Sequence, residues 1–390
     1  MNKWKSFLVY GITVLFSVLL IFIGNRFFTD TAFFQELRDA EKPVRAKVLE
    51  VIDKRDESYA IDEENTVEQS EIIFSARILS GEKKGEVVTA NQVHDSYAAN
   101  GAKEVKVGDK VMLYPADMSI YNANWVLGEY IRSDAILWLC IIFFALILLF
   151  GRMKGFHTIV SLTFTALSVF LVFVPAVLAG KNIYISSILV CIFIIVMTLL
   201  IINGWNRKSF VAAVGCVSGV LTAGIIAFVM DRVLDLTGVV DETSVYLQFI
   251  AEGITIDLRA IIFAGIILGA VGAVMDVAMS LASSLLEVYE VSENPTVGGI
   301  LRSGFNIGRD IMGTMANTLI LAYIGSSLSV VLLLVAYNSS MLALFNKEMI
   351  IVEILQAIAG SIGILCTIPL TSLVAALAYV PRKKKEDQAE

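Results

Sequence analysis

The sequence has little of what disulfide-bonded domains, metal sites and common hydrolases need. Its four cysteines all lie within apolar segments and form no C-x-x-C motif, so no disulfide is expected in the polar part of the chain. Only two histidines are present, and the topology described below places them on opposite sides of a membrane. No G-x-S-x-G, H-E-x-x-H or phosphate-binding loop occurs. We therefore predict that the chain is not an enzyme and uses no metal or cofactor.

Charged residues are also scarce. They make up 17% of the chain, against 57% hydrophobic residues, and the mean hydropathy is +0.75. This composition is typical of a membrane protein, in which each spanning helix takes about 20 mostly apolar residues. Eight segments come close to that length: roughly 7–24, 135–150, 156–178, 183–203, 210–230, 259–281, 312–336 and 352–379. The sequence predicts a polytopic α-helical membrane protein with eight transmembrane helices.

The distribution of Lys and Arg predicts the orientation of these helices. Residues 1–24 are interpreted as an uncleaved signal anchor, because a basic start precedes a long apolar core and no small-residue cleavage site follows. With the N-terminus inside, the N-terminal segment, the inner loops and the charged tail 382–390 together hold twelve Lys and Arg, against four in the short outer loops. We expect a multi-pass protein of the bacterial plasma membrane with both termini cytoplasmic and a seven-helix bundle over 135–381.

One polar insertion, residues 25–134, separates the first two apolar segments. It carries 14 Lys and Arg against 21 Asp and Glu, and this acidic balance argues against nucleic acid or anionic lipid as a partner of this domain. Alternation in "PVRAKVLEVID" and in later short runs predicts five strands, and the polar stretch 59–69 is expected to be a mobile loop. We predict a small extracytoplasmic closed barrel of the OB or SH3-like kind. It is interpreted as a docking module without a ligand, open to a protein partner.

An acidic residue interrupts the apolar segment around "GAVMDVAMSLASS", residues 272–284. At 100° per residue, Asp276 shares one helix face with small and polar residues: Gly265, Gly269, Gly272, Ser280, Ser283 and Glu287. Small residues let helices approach closely, and ionisable residues in spans usually face the bundle interior. We therefore expect this stripe to pack against neighbouring helices with Asp276 pointing inward.

Two further helices offer polar residues at the depth of Asp276. The expected cluster contains Asp276, Thr314, Asn317, Thr367 and Thr371. Such a cluster predicts a site for a proton, a cation or a substrate. Two alternatives stay open: Asp276 only hydrogen-bonds Thr314 and Asn317 and so holds the bundle together, or its helix ends near Met275 and leaves the carboxyl in the headgroup region.

Glycines mark two other features. A second set is expected to allow close helix packing, within one chain or between the chains of an oligomer: Gly215, Gly219, Gly360 and Gly363. The linker that follows the Asp276 helix is predicted to be a cytoplasmic helical hairpin with glycine hinges. Its gating candidates are Glu287, Gly298, Gly299, Arg302, Arg309 and Asp310, whose charged members could pair across the hairpin or anchor helix ends at the inner surface.

Two stretches carry a family resemblance. "GAVMDVAMSLASSLLEVYE" and, after it, "SGFNIGRDIMGTMANTLILAYIGSSL" (303–328) resemble the YibE/F-like family of bacterial multi-pass membrane proteins, over roughly residues 130–380. The resemblance implies a transporter or permease whose substrate is not established. The order of elements is also similar, more weakly, to SecD/SecF and RND-type permeases, but the helix count differs and Asp276 has no evident lysine partner.

Two functions follow as hypotheses. The first is a secondary transporter or permease of an unidentified small molecule or ion, coupled to protons or a cation through Asp276. The second is a non-transporting membrane scaffold or accessory subunit that presents the β domain to a protein partner, with Asp276 in a structural role.

Overall fold

The structure is a computed structural model that describes residues 3–31, 33–35, 42–60, 66–95, 103–116, 123–247, 249, 255–337 and 340–380. It divides into two compact units, residues 35–146 and residues 1–34 with 147–390. The predicted tail 382–390 lies outside the described residues.

The first unit contains the predicted barrel. Its strands are β1 (Val44–Ala60), β2 (Thr66–Ile78), β3 (Val87–Asp95), β4 (Lys110–Pro115) and β5 (Trp125–Tyr130). They close in the order β1-β2-β3-β5-β4, with β3 and β5 parallel and the other neighbours antiparallel. The prediction of a small closed barrel is confirmed, and this order with one parallel pair is the OB arrangement.

One detail of the barrel was predicted wrongly. The strand pairing of β1 and β2 continues out to the pair Ala60–Thr66, so most of the expected mobile loop 59–69 is hairpin, and only 61–65 lie outside the described residues. The polar composition misled the prediction, because strand pairing rests on backbone hydrogen bonds, which polar residues make as well as apolar ones.

Alternation along the strands gives the barrel a core of its own. Inward side chains such as Val48, Ile72, Phe74 and Leu113 are fully buried, and Trp125 packs with them. We expect residues 42–132, expressed alone, to show a β-type circular dichroism spectrum and a cooperative melt. Phe74→Ala should lower the free energy of unfolding of this fragment by about 3–5 kcal/mol, as measured by chemical denaturation. A fragment that is disordered in its wild-type form would contradict the prediction.

The remaining chain is helical. The helices are α1 (Lys3–Thr29), α2 (Ser133–Ser168), α3 (Val174–Leu178), α4 (Ile183–Asn203), α5 (Arg207–Val233), α6 (Glu242–Leu247), α7 (Leu258–Val291), α8 (Val297–Ser326), α9 (Leu328–Tyr337), α10 (Met341–Leu344) and α11 (Glu348–Tyr379), and a π-helical turn, Val169–Phe173, joins α2 to α3. Within the described residues, six helical stretches are long and apolar enough to cross a membrane: Leu8–Thr29, Ser133–Leu178, Ile183–Asn203, Arg207–Val233, Leu258–Val291 and Glu348–Tyr379. The composition therefore predicted the class of protein correctly.

The six stretches differ from the eight predicted helices in two places. The 46-residue stretch Ser133–Leu178 contains both 135–150 and 156–178. Its backbone leaves the helical conformation at Arg152, with φ 48° and ψ −127°. There the chain folds back. The evidence is that Gly155 lies against Ile147: a Cβ on Gly155 would touch the carbonyl oxygen of Ile147. In a straight helix these two residues would stand about 12 Å apart.

The predicted seventh helix, 312–336, has different bounds. Its residues are divided between α8 and α9, which meet at Ser327, and α8 begins already at Val297. Neither helix is by itself among the six candidate spans. The early start follows from the sequence 297–311, which has polar and apolar residues at helical spacing and so extends the helix beyond the purely apolar run.

Three helices, α5, α7 and α11, pack closely together, and α4 and α8 lie against them. Helix α7 supplies the largest share of fully buried aliphatic side chains, among them Ile266, Ile267, Val274 and Leu281. The second unit therefore presents a packed three-helix core in which one face of α7 is fixed by its neighbours.

Candidate functional site

Helices α5 and α11 cross at a line of small residues. A Cβ on Gly215 would overlap Thr371, and one on Gly219 would overlap Thr367 and lie 3.0 Å from the carbonyl oxygen of Gly363. The Thr367 hydroxyl donates a hydrogen bond to that same carbonyl over 2.8 Å. Both threonines are fully buried. These residues form the tightest helix contact of the bundle, which is the close approach that small residues permit.

The expected cluster of five polar residues does not form. Thr367 and Thr371 are buried in the α5–α11 crossing, whereas Asp276, Thr314 and Asn317 are exposed. The physical reason is that the glycines of α5 leave room for the threonine side chains, so Thr367 and Thr371 meet α5 and not the face of α7 that carries Asp276. Helical spacing showed which residues share a face of α11, but not which neighbour that face meets.

The stripe on α7 is also placed differently from the prediction. Its residues Gly265, Gly269, Gly272, Asp276 and Ser280 are exposed, and we call them the open face of α7. Among the described residues, no atom lies within 4 Å of a Cβ built on Gly265 or Gly272, so these two glycines do not pack against any helix that the structure describes. The opposite face of α7 carries the large aliphatic residues, and their many dispersion contacts fix the rotation of the helix.

Two glycines of α7 and α11 do meet a neighbour. A Cβ on Gly269 would lie 2.5 Å from the Tyr323 hydroxyl of α8, and one on Gly360 would lie 2.9 Å from Leu319 of α8. The Tyr323 hydroxyl is buried and has no hydrogen-bond partner in the described part of the chain. The sequence pattern did not identify Tyr323, because a tyrosine in an apolar run gives no periodic signal.

Two contacts between α7 and α8 show where Asp276 lies along its helix. Near one end Gly269 lies beside Tyr323, and near the other Leu285 lies 3.2 Å from a Cβ built on Gly304. The two helices are thus antiparallel neighbours over this stretch. Asp276 is therefore well inside α7, about 15 residues from the end of that helix at 291.

The Asp276 carboxyl is not paired with any residue that the structure describes. Within the described residues, no hydrogen bond or ion pair reaches it. Thr314 lies about midway along the α8 part of the same contact and thus near the level of Asp276, but its hydroxyl donates to the carbonyl of Ile311 on its own helix. Asn317 is exposed as well. The structural role considered for Asp276, a hydrogen bond to Thr314 or Asn317, is therefore absent.

A polar residue that sequence analysis missed lies close to this level. Asn203, the last residue of α4, places its side-chain nitrogen 3.7 Å from the sulfur of Met279, one turn from Asp276 on α7. Asn203 is the last residue of the predicted apolar segment 183–203, so the sequence analysis interpreted it only as the end of a helix. Its position makes it a second polar group near the open face.

The hairpin after α7 is shorter than predicted. Helix α7 ends at Val291 and α8 begins at Val297, so Gly298 and Gly299 lie in the first turn of α8 and not in a loop. The Thr296 hydroxyl accepts a hydrogen bond from the Gly299 N–H over 3.1 Å and caps this turn. The glycine hinge is therefore replaced by a capped helix start.

The charged gating candidates are all exposed: Glu287, Arg302, Arg309 and Asp310. In the part of the chain that the structure describes, every ion pair lies between residues 45 and 134. The suggested pairs across the hairpin are thus not formed: Glu287 lies in the last turns of α7, Arg302 near the start of α8, and Arg309 and Asp310 in the middle of α8.

At the opposite end of the bundle, Glu348 joins α11 to the loop after α5. One of its carboxylate oxygens accepts hydrogen bonds from the N–H groups of Thr237 (2.8 Å) and Gly238 (2.7 Å), and the other accepts from the Thr237 hydroxyl (2.8 Å). Gly238 has φ +86°, a conformation that favours glycine. This contact fixes the end of the α5–α11 pair.

The part of the chain that carries these residues matches a known protein family. The family model described as YibE/F-like protein matches residues 139–381, which is more than half of the 390 residues. The match covers the helical bundle and every candidate site residue, and it leaves the barrel outside. No curated protein and no solved structure matches the chain.

Proposed function

Because the chain belongs to the YibE/F-like family, we propose that it is a secondary transporter or permease in which Asp276 binds a proton or a cation. Its substrate is an ion or small molecule that remains to be identified. The proposal rests on the family, on the apolar helices and above all on the environment of one carboxyl group.

The single observation that carries the proposal is the unpaired Asp276 carboxyl on the open face of α7. A charged side chain at the centre of a spanning helix costs about 2.5–3.5 kcal/mol on insertion scales if lipid surrounds it. A carboxyl kept for structure would recover that cost through hydrogen bonds within the chain, and this one makes none in the described residues. Water, a proton or a bound cation can satisfy it instead.

We propose the following topology for this function. The 46 residues of Ser133–Leu178 would extend about 69 Å as one helix, more than twice a hydrocarbon core of about 30 Å. The fold-back at Arg152 therefore supports two spans, and α8 with α9 supplies the eighth. Together with the excess of Lys and Arg in the inner loops, this supports an extracytoplasmic barrel and two cytoplasmic termini in the bacterial plasma membrane.

The topology is tested by cysteine labelling in cells. Lys83 lies in the barrel unit and Glu293 in the loop between α7 and α8, and both are exposed. With an impermeant thiol reagent, Lys83→Cys should label from outside and Glu293→Cys only after the cells are opened. The parent protein with its four native cysteines is the control. Labelling of both variants from outside would reject the eight-span arrangement.

The function is tested with the purified full chain in sealed vesicles that contain a pH-sensitive dye. Under an imposed pH gradient, we expect proton flux above that of protein-free vesicles, or flux that appears when sodium, potassium or magnesium is offered singly. Wild-type protein that moves neither protons nor any of these cations would reject the transporter proposal.

The alternative function is a scaffold, and one observation favours it. The barrel is a compact unit with its own buried core, the arrangement of a module that can dock a protein. A scaffold would leave the flux at background and would be expected to retain a protein partner through the barrel fragment 42–132.

A further inference from the structure

A continuous apolar groove runs between α4 and α5. One part, of about 440 Å³, is lined near the junction of the two helices by residues that include Leu200, Phe210 and Val214. A second part, of about 280 Å³, is lined further along by Cys191, Ile225 and other apolar residues. The two parts share Val217 and Leu221, and we call them together the α4–α5 groove.

The length of the groove is close to the thickness of the hydrocarbon core of a membrane. On α5 its lining runs from Ser209 to Phe228, which corresponds to about 28 Å of helix, close to a hydrocarbon core of about 30 Å. Most of this lining is apolar; Asn206 and Ser209 lie together at one end, Ser218 lies midway, and Tyr184 lies at the other end. An acyl chain fits such a surface, whereas water does not.

That end of the groove is positively charged. Arg207 and Lys208 follow Asn206 directly and open α5, and neither makes an ion pair with the described residues. Helix α4 contains no acidic residue, and the first one in α5 is Asp231 at its far end. Trp205, which is 66% exposed, lines the groove beside them, as aromatic residues do at membrane interfaces. Two cations above an apolar groove complement a phosphate group attached to acyl chains.

A second protein helix fits the groove less well. Helices associate in membranes through small residues, and the glycine pair of α5, Gly215 and Gly219, is already filled by α11 on another face. Ala213, Ser218 and Gly224 line the groove, but they lie among bulky exposed residues such as Trp205, Phe210 and Leu221. A flexible acyl chain adapts to this irregular surface.

We propose that the α4–α5 groove binds an anionic phospholipid, with its acyl chains along the groove and its phosphate at Arg207 and Lys208. The site is separate from the open face of α7, so it does not depend on the proposed transport activity.

The test uses the full-length protein, purified in a neutral detergent. Dioleoyl phosphatidylglycerol should raise the midpoint of thermal unfolding by several degrees more than dioleoyl phosphatidylcholine does. Inorganic phosphate, which lacks acyl chains, should not shift it. Native mass spectrometry of the same samples should show phosphatidylglycerol retained on the folded protein, which separates loss of lipid from loss of folding.

The variant Arg207→Gln/Lys208→Gln should lose the preference for phosphatidylglycerol. The matched control, Lys154→Gln/Arg302→Gln, removes two exposed positive charges elsewhere in the second unit and should keep it. Ala213→Phe, which fills the groove, should reduce retention of both lipids. Equal shifts with the two lipids, a shift with phosphate alone, or the same loss in the control pair would overturn the proposal.

Discussion

Replacing Gly219 by valine is expected to destabilise the helical bundle more than any other single change considered for this protein. The position faces three groups at once. A Cβ there would overlap the Thr367 hydroxyl, lie 2.9 Å from a methyl carbon of Val274 and lie 3.0 Å from the carbonyl oxygen of Gly363. One of these groups is backbone and cannot rotate away, so α5 and α11 must separate. Overpacking costs about 1–3 kcal/mol and occasionally more, and the backbone contact puts this position at the upper end.

The measurement is the fraction of folded protein after purification, with thermal unfolding in detergent. The matched control is Gly265→Val, the same substitution in another membrane-length helix, where no atom lies within 4 Å of the new Cβ. Helix propensity favours valine over glycine by about 0.5 kcal/mol or less, so this variant should be as stable as the wild type or slightly more stable. If both variants are equally stable, the α5–α11 crossing is not as close as the structure places it.

The second large effect concerns Asp276 and has two parts. Asp276→Leu should leave the stability of the bundle unchanged or raise it, because no hydrogen bond within the described residues is lost and a lipid-compatible side chain replaces a costly one. A structural carboxyl would behave in the opposite way, since its removal would leave partners unsatisfied at about 1–3 kcal/mol each. Thermal unfolding of the purified variant beside the wild type distinguishes the two cases. A clear loss of stability in Asp276→Leu would show that the carboxyl holds the bundle together.

Helical periodicity correctly predicted which residues share one face of a helix. The stripe from Gly265 to Ser280 does share a face of α7, and the threonines of α11 share a face with Gly360 and Gly363. It could not show which neighbour each face meets, because that depends on the fit between two surfaces. The threonines of α11 pack against the glycines of α5, whereas the stripe of α7 is exposed.

The strands were predictable for a different reason. Alternation of apolar and polar residues reflects a barrel wall with one buried side, so the five strands follow from local pattern. The order of the strands and the parallel pairing of β3 with β5 depend on contacts between residues distant in sequence. The alternation alone therefore could not distinguish an OB barrel from an SH3-like barrel. The break at Arg152 was predicted in position, because it lies between the apolar segments 135–150 and 156–178, but its backbone conformation could not be predicted from the pattern.

Proton or cation flux through Asp276→Asn vesicles tests the central claim most directly. Asparagine keeps the size and polarity of the side chain but cannot release a proton or carry a charge, and the exposed position should accept it without loss of folding. We expect the variant to insert and melt as the wild type does, while its flux, read by the entrapped dye under the same imposed gradient, falls to the level of protein-free vesicles. Flux equal to that of the wild type would contradict the account, because Asp276 would then carry neither the proton nor the cation.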